Sequence, residues 1–265
     1  MKWFSVLVIV LVILQNSCTK NKYLPKVLVF GHAGISLHKD KALFPANSLE
    51  SIQYAIDVLG ADGVEVDIQM TKDSVLVLFH DKFLEFSSNF IGCVSQYNYD
   101  EIMNVKLDNT DYIIVTLDKV LKYIDSRGKS ILLDVKAYDY CSETTISVSG
   151  FNYGFLNSIN EISEECIGNI LINNQSSSFL NQVSHPNKCI EITNVQNGIN
   201  QLNTFEFQAI LIALGNISKN DPELLKNINW GVFGIKDKWS IDNGIKLMPK
   251  FAITENIAYT NKITD

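Results

Sequence analysis

The sequence lacks the features that mark nucleic-acid-binding, zinc-binding and multidomain proteins. It has no block of basic residues and a formal net charge of −7, which argues against nucleic acid as a partner. No C-x-x-C pair occurs among Cys93, Cys141, Cys166 and Cys189, which argues against zinc or dithiol chemistry and leaves disulfides and buried thiols both open. Since no Pro/Gly-rich linker, repeat or low-complexity run is present, we expect one domain with a large core.

The longest apolar run lies at the N-terminus. Residues 3–14 are apolar apart from one serine, which is short for a membrane-spanning helix and typical of a signal-peptide core. Ser17 then precedes Cys18, as in a lipoprotein cleavage site. We expect residues 1–17 to be a lipoprotein signal peptide and 18–25 a tether, so that the protein is exported and bound to a membrane through lipid on Cys18. An uncleaved anchor helix is the alternative.

One stretch, residues 63–81, carries the strongest chemical signal. Residues 63–70 alternate apolar and polar positions, which places Glu65 and Asp67 on one face of a strand. A turn at 71–74 and an apolar run at 75–79 complete a predicted hairpin, which brings His80 opposite the Glu65–Asp67 end. Two carboxylates and an imidazole suit a hard metal ion and a proton-transfer group; the alternative is a solvated sheet face.

The rest of the chain alternates apolar strands with amphipathic helices, a rhythm that favours a parallel sheet with right-handed crossovers. The run at 75–79 follows its predecessor too closely for a parallel crossover. Eight strands remain, predicted at 27–30, 63–70, 131–137, 169–173, 189–193, 209–214, 230–235 and 251–254. This count over residues 26–265 predicts an α/β fold, a (β/α)8 TIM barrel with a β-hairpin after the second strand. An open doubly wound sheet is the competitor, but no glycine-rich phosphate loop follows the first strand.

Helix signals lie between these strands. Asn47 followed by Glu50 three residues later predicts an N-cap for a helix at 48–59. Thr116 is expected to cap the helix before the third barrel strand. Further helices are predicted near 99–105, 151–165, 177–183 and 198–205, with another beginning at Asp221-Pro222.

Short motifs follow one another along the chain in a definite order: His32-x-Gly34, Pro45-x-Asn47-Ser48, Gly60-Ala61-Asp62-x-x-Glu65-x-Asp67, Thr71-Lys72-Asp73, His80-Asp81 and Leu133-Asp134-Val135-Lys136. The order resembles the glycerophosphodiester phosphodiesterase family, whose pattern runs HRG, PENT, GAD-x-x-E-x-D, TKDG, HD and LEIK. Near the end, Ile253-Thr254-Glu255-Asn256 is similar to the family's ITDNP. The likeness covers essentially the whole chain after the N-terminal segment.

The resemblance implies a TIM barrel that hydrolyses small-molecule glycerophosphodiesters to an alcohol and glycerol 3-phosphate with Ca²⁺ or Mg²⁺. It implies metal ligation by Glu65, Asp67 and Asp134, an acid–base pair of His32 and His80, and substrate contacts from Lys136 and Phe233. An all-oxygen ligand set independently favours Mg²⁺ or Ca²⁺ over zinc. The two remaining histidines, His38 and His185, are expected to be surface loop residues.

The sequence departs from the family pattern at positions that bear charge. Ala33 stands where the family has a phosphate-gripping arginine, and Ala46 where it has a glutamate near the metal. Losing one charge-assisted contact to an oxyanion typically costs ~2–4 kcal/mol of transition-state stabilisation. Two alternatives to hydrolysis therefore stay open: a non-catalytic surface lipoprotein that binds a phosphorylated or sugar ligand, and an intramolecular transfer that yields a cyclic phosphate.

Overall fold

A sheet that closes on itself forms the body of the protein. The computed structural model describes residues 26–38, 42–136, 160 and 170–264. Its strands, in chain order, are β1 Leu28–His32, β2 Gly63–Met70, β3 Leu76–Leu78, β4 Ser130–Val135, β5 Ile170–Asn174, β6 Lys188–Ile192, β7 Ala209–Ala213, β8 Trp230–Ile235 and β9 Phe251–Thr254. The order is β1-β9-β8-β7-β6-β5-β4-β2-β3, with β1 also paired to β2. Eight parallel strands thus close a barrel, and the predicted (β/α)8 fold is confirmed.

The ninth strand, β3, folds back on β2 as predicted. The pairing is antiparallel, with Ile68 opposite Leu78 and Met70 opposite Leu76. In the turn, the Thr71 hydroxyl donates to Asp73 at 2.6 Å, and Ser74 adopts φ +66°. Because β3 leaves the barrel beside the carboxyl end of β2, the residues that follow it begin at the barrel mouth.

The helices, in chain order, are α1 Leu49–Gln53, α2 Tyr99–Ile102, α3 Leu117–Ser126, α4 Ser177–Leu180, α5 Val195–Thr204, α6 Asp221–Leu225, α7 Lys238–Lys246 and α8 Ile257–Thr264. All except α2, which belongs to a smaller core described below, cover the outside of the barrel. A π-helical turn, Tyr54–Val58, continues α1. The Thr116 cap is confirmed, since its side chain accepts from the Lys119 N–H. The helix predicted at 151–165 lies outside the described residues. Among the helices of the described ranges, none combines the length and apolar character needed to cross a membrane.

The predicted N-cap of α1 is wrong by one residue. Ser48 is the cap, and its hydroxyl accepts from the Ser51 N–H at 3.1 Å. Asn47 instead takes φ +60° and turns its side chain toward β2. A serine next to the asparagine supplies the same capping oxygen, which frees Asn47 for another contact.

Each barrel strand carries two kinds of buried surface. Outward residues of β2 such as Val64, Val66 and Ile68 pack with the helices. Inward residues near the amino ends of the strands form an apolar plug of Phe30, Leu132, Cys189, Ala209, Leu211, Phe251 and Ile253. Above the plug, the inward positions become polar, so the charged side chains gather at the carboxyl ends of the strands, as in other barrels of this kind.

Residues between β3 and α3 build a second, smaller core. Leu84, Val94, Ile102, Leu107 and Ile114 are buried together. This segment contacts the barrel through the hairpin strand β3, and its first residues run along the barrel mouth. It therefore forms one wall beside the site described next.

Candidate active site

Three carboxylates meet inside the barrel mouth. Glu65 and Asp67 point inward from β2, and Asp134 lies directly opposite Asp67 on β4. One oxygen of each lies within 4.8 Å of the other two, and Glu65 and Asp67 are only 4% and 1% exposed. The sequence therefore predicted correctly that these side chains come together. A buried, all-oxygen donor set of this size fits a hard divalent cation such as Mg²⁺ or Ca²⁺.

Lys136 holds this cluster from the side of β4. Its Nζ lies 3.1 Å from an Asp67 oxygen and 2.6 Å from an Asp134 oxygen. Burial lowers the pKa of Lys136, but the negative charges of Asp67 and Asp134 raise it more, so the pKa lies above its ordinary value. Lys136 is thus a permanent positive charge beside the carboxylates, in reach of an anion bound there.

The cluster still carries more negative charge than Lys136 neutralises. Burial and the charge of Asp67 raise the pKa of Glu65 to about 8, although His32 opposes the shift. At neutral pH the cluster therefore binds either a proton or a cation. Because metal binding requires the ionised carboxylates, a divalent cation would displace that proton.

His32 ends β1 next to the cluster. Its Nδ1 forms a hydrogen bond with Glu255, and its Nε2 lies 3.8 Å from Glu65. Burial lowers the pKa of His32, but the bond to Glu255 and the charges of Glu65 and Asp67 raise it more, to about 9. The imidazole is therefore protonated at neutral pH and can donate a proton from Nε2.

Glu255 follows β9 and was not assigned a role from the sequence. One of its oxygens contacts His32, and the other accepts from the Leu37 N–H at 3.1 Å. Burial raises the pKa of Glu255, but the hydrogen bond from His32 lowers it more, so it stays ionised. The sequence signal was its position directly after an apolar strand, where parallel barrels place functional side chains.

His80 lies on the other wall of the mouth, two residues after the end of β3. Its Nδ1 is 2.9 Å from Asp81, and Asp81 also accepts from the Ser87 hydroxyl. The side chain of His80 is 39% exposed. It lines a cavity of about 170 Å³ together with Asn47, whose side chain contacts the carboxylate cluster.

Asn47 is a site residue that the sequence analysis did not identify. Its Nδ2 donates to an Asp67 oxygen at 2.7 Å, and its Oδ1 accepts from the Asp67 N–H at 3.0 Å. The side chain is buried, and the neighbouring Ala46 offers no charge to the same cavity. Asn47 was missed because asparagine before a helix is a strong capping signal.

The far side of the mouth carries two further polar residues that the sequence analysis did not assign. Asn173 on β5 donates to Asp134 at 3.2 Å, and Glu191 on β6 accepts from Gln175 at 2.8 Å. Burial and Asp134 raise the pKa of Glu191 above its ordinary value. Phe233 on β8 packs partly buried at the edge of the apolar plug. Asn173 and Glu191 could have been found from the sequence, because each is a polar residue that alternates with apolar residues on a predicted strand.

The two other histidines and the arginine lie outside the carboxylate cluster, although His38 is near Glu255, whose pKa its charge helps to lower. His38 is exposed as predicted. The prediction for His185 is wrong: it is 6% exposed, accepts from the Asn187 N–H and has a pKa lowered by burial. It packs before β6, at the amino ends of the strands. Arg127, the only arginine in the sequence, ends α3 and pairs with Asp57 at 2.9 Å, far from the barrel mouth in the fold.

The barrel and its cluster define a class: a TIM-barrel protein with a carboxylate cluster at the carboxyl ends of its strands that could hold a divalent cation. The profile of the Glycerophosphoryl diester phosphodiesterase family matches residues 40–201. That match covers more than half of the chain, and the protein belongs to this family.

Two curated relatives agree with this assignment. A glycerophosphodiester phosphodiesterase of Bacillus altitudinis is 30% identical over 110 residues, which cover 39% of this chain and 42% of the relative. One of Caldanaerobacter subterraneus subsp. tengcongensis is 27% identical over 162 residues, covering 52% and 63%. The matched part of the chain thus spans less than two thirds of either relative.

Solved structures share the fold at lower identity. A glycerophosphodiester phosphodiesterase of Thermotoga maritima superposes with a TM-score of 0.71 at 20% identity, covering 89% of this chain and 98% of that one. A phosphodiesterase of Oleispira antarctica gives a TM-score of 0.73 at 16% identity, covering 89% and 96%. At these identities the similarity shows the barrel architecture alone.

Proposed function

We propose that the protein is a metal-dependent phosphodiesterase that hydrolyses glycerophosphodiesters to an alcohol and glycerol 3-phosphate. The observation that carries the proposal is the meeting of the Glu65–Asp67–Asp134 cluster with a protonated His32 at one barrel mouth. Two similarities support it: the family assignment, and the Oleispira antarctica phosphodiesterase, whose structure contains the product sn-glycerol-3-phosphate.

Glu65, Asp67 and Asp134 would hold the divalent cation, Ca²⁺ or Mg²⁺. When bound, such an ion neutralises the non-bridging oxygens of a phosphodiester and makes phosphorus easier to attack. Lys136 lies beside these ligands and adds a second positive charge for the phosphate. With Arg127 distant, lysine takes the part that an arginine clamp has in the family pattern.

The two histidines divide the proton transfers. His80 would take a proton from the attacking water as its oxygen bonds to phosphorus. His32, protonated and oriented by Glu255, gives its Nε2 proton to the departing alkoxide as the P–O bond breaks. The products are a phosphomonoester and a neutral alcohol, and proton exchange with solvent restores both imidazoles.

The first experiment measures release of glycerol 3-phosphate from glycerophosphocholine with Mg²⁺ or Ca²⁺. We expect turnover that EDTA abolishes and that falls at least 10²-fold in His32→Ala and His80→Ala. Lys122→Ala, at an exposed position on the outer helix α3, is the control and should retain wild-type rates. Absence of turnover with any diester or divalent ion at high protein concentration would contradict the proposal.

A second candidate function, ligand binding without catalysis, is favoured by Ala33 and Ala46. The Ala33 N–H donates to Glu65 at 3.1 Å, and its methyl group offers no charge to a phosphate. Calorimetric binding of a diester without its consumption would support this candidate. Phosphorus NMR of any products separates hydrolysis from formation of a cyclic phosphate.

For location, we propose export and attachment to a membrane through lipid on Cys18, which lies outside the described residues. The apolar run at 3–14 supports export. A disulfide at Cys93 is consistent with an oxidising compartment. Radiolabelled fatty acid should be incorporated into the wild-type protein and not into Cys18→Ser; equal labelling of both would contradict the proposal.

A further inference from the structure

The wall of the barrel opposite His32 carries an acidic side chain that the proposed chemistry does not use. In the closed strand order, β6 lies four strands from β1 in either direction. Cys189 on β6 belongs to the inward plug, whereas Ile190 and Ile192 pack outward. Because side chains alternate along a strand, Glu191 points inward, one layer above the plug and across the mouth from His32.

Side-chain amides are the hydrogen-bond partners of Glu191, and Lys136, whose positive charge reaches it, is paired with Asp67 and Asp134. Glu191 accepts a hydrogen bond from Gln175 at 2.8 Å, and within the described part of the chain it forms no ion pair with lysine, arginine or histidine. Residues 137–169, which follow β4, and residues 193–208, which follow β6, contain no basic residue at all. The sequence around this wall is therefore suited to a cation supplied from outside.

A second observation at the same wall points to a missing hydrogen-bond donor. Asn173 is 1% exposed, and its side-chain amide donates to Asp134 and also interacts with Glu191. Its Oδ1 is buried without a hydrogen-bond partner. Buried carbonyl oxygens are almost always paired, so this atom is free to accept a hydrogen bond from an N–H or O–H group of a ligand.

The position of this wall relative to the phosphate follows from the strand spacing. Asp134 on β4 and Glu191 on β6 are two strands apart, about 10 Å along the sheet, and Asn173 on β5 lies between them. A group held at Glu191 is therefore adjacent to a phosphate held at the carboxylate cluster. Phe233, two strands farther around on β8, packs partly buried against the plug, and an aromatic ring at that position would suit the methylene groups beside a cation.

We propose that Glu191, Asn173 and Phe233 form a subsite for the ammonium end of an aminoalcohol phosphodiester. The ammonium hydrogens would be donated to the Glu191 carboxylate and to Asn173 Oδ1. The inference rests on the proposed function for the position of the phosphate, and it narrows the substrate class to diesters whose alcohol carries a primary amine.

The test compares binding of two phosphate esters that differ in the ammonium group, O-phosphoethanolamine and n-propyl phosphate, by calorimetry with Mg²⁺ at pH 7. Wild-type protein should bind the aminoalcohol ester about tenfold more tightly. Glu191→Gln should bind the two esters equally within about twofold, and Glu206→Gln, an exposed carboxylate before β7, should keep the wild-type preference. Equal binding by the wild-type protein overturns the subsite, whether or not the variants fold.

Turnover separates this inference from the proposed function. The ratio of kcat/KM for glycerophosphoethanolamine to that for glycerophosphoglycerol should be about ten in the wild-type protein and fall toward one in Glu191→Gln. A preserved binding preference without any turnover would overturn the proposed function and support the subsite. Turnover with a ratio near one in the wild-type protein would overturn the subsite alone.

Discussion

At the scale of the residue, the side-chain amide of Asn47 holds the carboxylate of Asp67 in position. It contacts both the backbone N–H and the side chain of Asp67, so it sets the position and the rotamer of a candidate metal ligand. It does so with φ +60°, a conformation that costs a non-glycine residue free energy. The fold tolerates this strain where a buried polar contact requires it, and the strain lies beside the candidate metal ligands.

Replacing Asn47 with glycine separates the effect of its positive φ from the effect of its hydrogen bonds to Asp67. Glycine favours positive φ, so Asn47→Gly should unfold within a few degrees of the wild-type temperature. Loss of both hydrogen bonds to Asp67 should weaken Mg²⁺ or Ca²⁺ binding about 10–100-fold, as for other residues that orient metal ligands. Calorimetric titration with each ion and a thermal melt measure the two effects. Unchanged metal affinity would show that Asn47 has a purely structural role.

Glu255 acts on the reaction through His32 and is therefore a positioning residue. Glu255→Gln keeps the side-chain size and removes one of the charges that, with Glu65 and Asp67, raise the pKa of His32 to about 9. We expect the alkaline limb of the kcat/KM profile to move down by at least about one pH unit, because His32 then loses its proton at lower pH. An NMR titration of the His32 ring checks the same shift without turnover.

Glu223→Gln, a surface carboxylate paired with Lys226, is the control for Glu255→Gln. It should leave both the pH profile and the His32 titration unchanged. An unaltered alkaline limb in Glu255→Gln would contradict the assignment of Glu255 as a group that keeps His32 protonated.

At the scale of the element, β1 depends on a glycine near its carboxyl end, which packs against the turn that follows the strand. A Cβ at Gly31 would lie 1.9 Å from the backbone oxygen of Gly34 and 2.8 Å from the side chain of Ile257. The chain turns sharply here because His32 must face the cluster while Ala33 directs its N–H to Glu65. The tight turn thus places two contacts of the site.

We therefore expect Gly31→Ala to be destabilising. Crowding in a packed region typically costs about 1–3 kcal/mol, and since backbone must move here, the loss should be at the upper end of that range. Gly215→Ala, where an added Cβ meets nothing within 4 Å, is the matched control. Urea unfolding of both variants measures the difference, and equal stabilities would contradict the close approach of β1 to its turn.

At the scale of the whole molecule, the carboxylates at the barrel mouth outnumber the positive charges beside them. Without a metal, Glu65 has a pKa of about 8 against an ordinary value of 4.5, and His32 about 9 against 6.5. Between about pH 5 and 9 the folded protein therefore holds protons that the unfolded chain has released. Stability falls with rising pH wherever the folded state binds more protons.

This linkage gives a test on the intact protein. In EDTA, the unfolding temperature should fall steadily from pH 6 to pH 9. With saturating Mg²⁺ or Ca²⁺ the fall should be smaller, because the cation replaces the protons that the cluster otherwise needs. The stabilisation by metal, read as the difference between the two melting curves, should grow with pH. A stabilisation that is constant over this range would contradict the assigned charge state of the cluster.

The sequence by itself determined the features that depend on neighbours along the chain. Period-two alternation predicted that Glu65 and Asp67 lie on one face of a strand, and turn residues predicted the hairpin. The number and spacing of apolar runs predicted the eight barrel strands. These signals are local, because each strand or turn is specified by residues within about ten positions of one another. The motif order added Asp134, Lys136 and the two histidines.

Only the tertiary structure decided which distant residues share the site. Glu255 contacts His32 across 223 positions, and Asn173 contacts Asp134 across 39. Such pairs depend on closure of the barrel and on strand register, which no local pattern encodes. The role of Asn47 also required the tertiary structure. Its position before a helix predicts an N-cap, but the neighbouring Ser48 is the cap and Asn47 contacts Asp67 instead. Each strand is therefore predictable from its local sequence, whereas the contacts between site residues on different strands depend on how the barrel closes.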